Sequence, residues 1–295
     1  MVNKNNMNKY NYSSCSELIK IIKKYNFNLP DFIVERESKL FGVKKNQIRL
    51  KLKKYIKTMR ESINNGLRKN LDTVCLDNES KKLVKNKFRL LNSLEYEILY
   101  SSIAVAEYNC SMGKIVACPT AGSCGILPGV LIPLSKKYKF NIELIVDSLL
   151  VAGEIGRIAA SKTSISGAAG GCMVECGIAS AMASGAIVFL LKGNINQIFN
   201  AAALSLKNNL GLTCDPVAGL VEVPCVKRNG FKAIESLVAA QLSISGIVSV
   251  IPFDEVVNVV KEIADNMPVI YKETSEGGLA ITESGIKFKK KLRIK

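Results

Sequence analysis

Two long stretches without a charged residue decide most of what this chain can fold into. Residues 176–191 are 16 consecutive uncharged residues, and 236–253 are 18. Runs of this kind are stable either inside a helical core or across a lipid bilayer. The first is short for a hydrocarbon layer of about 30 Å. The second carries Ser236, Gln241, Ser243, Ser245, Ser249 and Pro252. Both are therefore expected as buried helices, with no membrane span. The supply of residues agrees: there is no Trp, and Ala, Gly, Ser, Ile and Leu are abundant, which suits close-packed helices better than a β-sandwich. A mainly α fold is expected, and 295 residues with 48% hydrophobic content suffice for one large domain or two modest ones.

Periodicity and punctuation divide the chain. Residues 16–66 read as amphipathic helices interrupted at Pro30–Asp31 and Gly42, and 67–90 as a charged, weakly patterned connection. Together 1–91 form a basic N-terminal helical region. From Asn92, which with Glu95 resembles a capping box, a helical core is expected over 92–285, beginning with a helix at 94–112. Further helices are predicted at 142–160, 176–191, 195–208, 231–247 and 254–267, the last with Asp254 as its cap. Gly-rich turns lie between them at 117–129, 164–172, 211–225 and 274–280. Residues 286–295 read as a basic, disordered tail.

The net charge of +16 belongs to the ends of the chain: +12 falls in 1–100, +6 in 286–295 and −2 between them. A nucleic-acid groove should set Arg and Lys beside aromatic or base-reading groups, and only Lys/Asn-rich amphipathic segments such as 44–66 are present. Solvated helix faces are the expectation, without a nucleic-acid partner. The polar start, MVNKNNMNKYNYSSC, has no apolar stretch of signal-peptide length, so a cytoplasmic protein with reduced thiols is expected. Nine cysteines, an odd number, also argue against a closed disulfide framework.

The absence of histidine removes triads, Cys–His pairs and imidazole-ligated zinc. Any protein-held metal with soft ligands must then use cysteine. Cys172 ends the Gly170-Gly171 turn, Cys214 precedes Asp215-Pro216, and Cys225 follows Pro224. Thiolates at such open turns can converge, with main-chain N–H groups free to meet cluster sulfides. Their spacings match no generic metal pattern, and on spacing alone small buried thiols beside turns are the favoured reading. Cys118 and Cys124 flank a loop and read as packing residues, while Cys172 and Cys176, four apart, share a helix face if that segment is helical. Thr120, Gly122, Ser123 and Gly125 offer hydroxyls and N–H groups to a carboxylate or phosphate, and an ordinary Gly-rich turn is an equal alternative.

At these residues the chain resembles the alpha subunit of the bacterial iron–sulfur-dependent L-serine dehydratase (L-serine ammonia-lyase). The resemblance is carried by GKIVACPTAGSCGILPGVLIPL (113–134), ISGAAGGCMVECGIASAMA (165–183), NLGLTCDPVAGLVEVPCVKRN (209–229) and YKETSEGGLA (271–280), and it covers roughly 14–285. It implies a [4Fe-4S] cluster on Cys172, Cys214 and Cys225 in a catalytic core, with one iron left open as a Lewis acid for the serine hydroxyl. It also implies pyruvate and ammonia as products and a smaller beta subunit as partner. Thr120–Gly125 would fix the substrate carboxylate, with Ser166, Gly167 and the 274–280 turn as neighbours. The base that takes the α-proton is left open, and Asp215 reads as capping a turn.

Some neighbours depart from the pattern. Ala169 and Met173 stand where the family usually has Glu and Gln, and Val74-Cys75-Leu76-Asp77-Asn78 replaces an expected Gly-rich segment. A catalytically impaired alpha-like binding partner is therefore an alternative. A pyridoxal-phosphate-dependent dehydratase is another, for which Lys162 is the tempting lysine.

Overall fold

The computed structural model describes residues 8–292, and the architecture is mainly α, with no strand among the described residues. Helices α1 (Cys15–Tyr25), α2 (Leu29–Phe41) and α3 (Lys45–Arg68) build the basic N-terminal region. Their apolar stripes join the main core through Leu18, Ile22, Ile33, Ile56 and Met59, while stacked Tyr10, Phe27 and Phe32 close the entry. A short α4 (Glu79–Lys85) lies within the stretch read as a patternless connection. Its N-terminus is held by the buried Glu107 carboxylate, which accepts from the N–H groups of Glu79 and Ser80, a long-range cap that local pattern could not reveal.

The capping box at Asn92 and Glu95 starts α5 (Ser93–Cys110) as expected. Then follow α6 (Ile126–Lys137), α7 (Ile142–Ala160), α8 (Ile178–Leu190), α9 (Ile195–Lys207), α10 (Cys225–Ile244) and α11 (Phe253–Asn266). The centre is α8, packed against α6, α7, α9 and α10. Its Ala179, Ala181, Ala183, Gly185 and Ala186 let those neighbours approach closely, and its Ser180 hydroxyl is satisfied by Ser205 at 2.8 Å. By length and apolarity Gly167–Leu190 could cross a membrane. Here that segment is buried, non-helical at Gly170 and Gly171, and drawn into a π turn at Met173–Gly177 before α8 begins.

Two expectations change. Asp254 does not cap its own helix: its carboxylate accepts from Cys15 and Ser16 N–H at 2.8 and 3.0 Å, so it caps α1 across the fold. The basic end, expected as a loose tail, is helical as α12 (Glu283–Lys291), started by Thr282, whose hydroxyl accepts from Gly285 N–H; residues 293–295 lie outside the described residues.

Candidate active site

Three loops bring the thiols together. Gly171 has φ +70°, and a Cβ there would stand 2.8 Å from the Leu212 carbonyl, so glycine permits the close crossing. The following turn lets Met173 N–H donate to Leu212 O at 2.9 Å, laying the Cys172 segment on the Cys214 segment. Cys214 N–H donates to Tyr271 O at 2.9 Å and Glu273 N–H to Cys214 O at 2.8 Å, which adds a third stretch from far along the chain. Cys225 opens α10 immediately after a loop closed by Val217 N–H on Val223 O.

A cavity of about 350 Å³ results, lined by Cys172, Cys214, Cys225, Thr120, Gly122 and Ser166 together with Asn109, Glu175 and Glu273. The other expected substrate contacts lie beside it. Ser123 is fully buried and donates to Cys118 O at 3.1 Å, supporting Thr120 through a 3.2 Å hydroxyl contact. The Gly125 N–H is committed to Asn229 Oδ1 at 2.9 Å. Gly167 leaves room for carboxylates: a Cβ there would stand 2.5 Å from Glu175 Oε2 and 3.0 Å from Glu273 Oε2.

The thiols differ electrically. Cys172 is held below the ordinary thiol range, first by a hydrogen bond from Cys176 and then by the Arg228 guanidinium, against the opposing effect of burial. Cys176, as the donor of that pair and itself buried, is pushed well up. Burial raises Cys214, and raises Cys225 to about 12. Burial likewise raises the Glu175 carboxyl, opposed by hydrogen bonds from Thr120 and Gly167.

The model of the serine dehydratase alpha chain family matches residues 16–280. The chain belongs to the serine dehydratase alpha chain family. It is 38% identical over 285 residues to the probable L-serine dehydratase alpha chain of Bacillus subtilis, covering 95% of each. It is 36% identical to the L-serine dehydratase alpha chain of Peptoniphilus asaccharolyticus, covering 94% of this chain and 97% of that one. A longer L-serine dehydratase from Streptomyces coelicolor is 34% identical, and the match spans 92% of this chain but 61% of that protein.

For a serine dehydratase alpha chain the donor set fits an iron–sulfur group: three thiols face one cavity and one of them is already favoured as thiolate beside a cation. Glu175, Cys214 and Glu273 also present ligand atoms within 4.8 Å of one another. Sequence reasoning missed both glutamates, Arg228 and Asn229, although all four lie inside the segments that carried the resemblance. Family departures fall outside the lining. Met173 is buried, and its sulfur takes Gly211 N–H at 3.3 Å; Val74 and Cys75 N–H groups are taken by Glu222. Lys162 pairs with Asp254 at 3.5 Å and does not line the cavity.

Proposed function

We propose that this chain is the catalytic alpha subunit of an L-serine dehydratase, acting with a separate beta chain in the cytoplasm and yielding pyruvate and ammonia. The carrying observation is the convergence of Cys172, Cys214 and Cys225 with Thr120 and Ser166 on one cavity, in a chain of this family. The three cysteines would hold a [4Fe-4S] cluster, which supplies a Lewis acid for the substrate hydroxyl. The relatives are alpha chains by name, which supports a beta partner.

The chain's own residues orient the amino acid. The Ser166 hydroxyl stands at the cavity as a donor for the substrate carboxylate, and Thr120, whose single proton is directed at Glu175 in the empty site, would turn it to that carboxylate when substrate is bound. The carboxylates of Glu175 and Glu273 line the same cavity, beside Gly167, and attract the substrate ammonium. The test is anaerobic turnover of L-serine by the chain co-expressed with its beta partner. Pyruvate formation is expected, and iron-loaded protein that makes none with the partner present would overturn the dehydratase reading.

A further inference from the structure

The start of α10 carries two consecutive polar side chains that brace two of the cavity's loops, 120–125 and 213–215. Arg228 NH1 donates to Thr213 O at 2.8 Å and NH2 to Asp215 Oδ1 at 3.0 Å, one bond on each side of Cys214. The charge of the same guanidinium favours the Cys172 thiolate, and Arg228 itself stands three residues after Cys225. One cation thus joins the segments of all three thiols. Asp215 extends the clamp, because its second oxygen accepts from Leu279 N–H at 2.9 Å and pins the 277–279 turn. Asn229 faces the other way. Fully buried, it donates to Gly122 O at 2.8 Å and to Cys225 O at 3.0 Å, and accepts from Gly125 N–H at 2.9 Å. All of its visible bonds tie the Thr120–Gly125 loop to the start of α10.

We infer that Arg228 and Asn229 are positioning residues with divided tasks: Arg228 aligns and neutralises the thiolate ligands of the cluster, and Asn229 sets the loop that holds the substrate carboxylate. A rigid fork is required for the first task, since a lysine would restore the charge but not two directed bonds. A donor and an acceptor on one amide are required for the second, and aspartate keeps only the acceptor. This inference rests on the cluster reading of the site.

The experiment compares wild type, Arg228→Gln, Arg228→Lys and Asn229→Asp, each purified anaerobically with the beta chain. Iron and sulfide content, the rate of iron loss to a chelator, the reduction midpoint of the cluster, and KM for L-serine are read on each. Arg228→Gln should lose iron about tenfold faster and shift the midpoint negative, because a positive charge near the thiolate ligands and the two bonds that brace Cys214 are removed. Arg228→Lys should recover the midpoint in part while still losing iron faster than wild type, and it carries the test if the Gln variant does not fold. Asn229→Asp should hold its iron and raise KM about tenfold. Arg228 variants with wild-type iron loss and midpoint, or an Asn229 variant whose defect is iron loss with unchanged KM, would overturn the inference. Wild-type protein free of iron yet active would instead overturn the cluster reading beneath it.

Discussion

Cys118 and Cys124 are as buried as Cys172, Cys214 and Cys225, all of them less than a tenth exposed, yet the two groups have different surroundings. Cys118 shares the main apolar core with Cys172 and Cys214, but burial alone acts on its thiol, pushing it up to about 12. Cys124 packs with Ile63 and Val105 in a satellite core. The other three meet a guanidinium, two carboxylates and a hydroxyl around an open cavity. Depth of burial is therefore no guide to which cysteines carry chemistry. Polar company at a cavity is the distinguishing feature, because a buried thiol needs a compensating charge before it can serve as a thiolate ligand.

The largest effect that could break this contrast comes from serine replacements. Cys172→Ser, Cys214→Ser and Cys225→Ser should each reduce bound iron to background and abolish pyruvate formation, whereas Cys118→Ser, Cys124→Ser and Cys15→Ser should keep their iron. Iron and sulfide analysis on folded protein decides between the groups. A smaller loss is expected from Thr120→Ala. Removing a hydroxyl that holds a substrate carboxylate should lower kcat/KM by about 10- to 100-fold with iron content unchanged. Steady-state kinetics beside iron analysis measures both.

The smallest effect concerns a carboxylate outside the cavity and tests whether α1 is only structural. Burial pushes the Asp254 carboxyl up, but the N–H groups of Ser16 and Cys15 outweigh it and hold it below its ordinary 3.8. A carboxyl depressed in the folded state contributes stability that is present above the unfolded value and lost as pH falls through the folded one. Asp254→Asn should cost about 1 kcal/mol near neutral pH by urea unfolding, and the gap to wild type should close on acidification below about 4. Iron content should not change.

Much of the fold was legible because helix signals are local. The limits of α7 are those expected, and the Asn92–Glu95 box marks α5. The start of α10 was placed too late, at 231, because the Cys225–Gly230 turn is polar and its apolar face is supplied by Cys225, Val226 and Gly230 rather than by a periodic run. In the site, Thr120, Gly122, Ser166 and the three cysteines were legible from turns and from the family pattern. Glu273 was not, since only the bonds between Cys214 and the 271–273 backbone bring it to the cavity. Arg228 was equally hidden: its role depends on reaching Thr213 and Asp215 across a loop, which spacing along the chain does not encode. Asp254 shows the same limit in the fold, with the right residue type at a helix start but the wrong helix capped.

The central claim is that three of the nine thiols hold a cluster, and the most direct measurement is anaerobic purification of wild type and Cys214→Ser with iron, sulfide and visible absorption read together. Wild type should carry about four irons and four sulfides per chain with broad absorption near roughly 400 nm, and Cys214→Ser should lack all three signals. Equal iron and sulfide in the two proteins, or a colourless iron-free wild type that turns serine into pyruvate, would contradict the account.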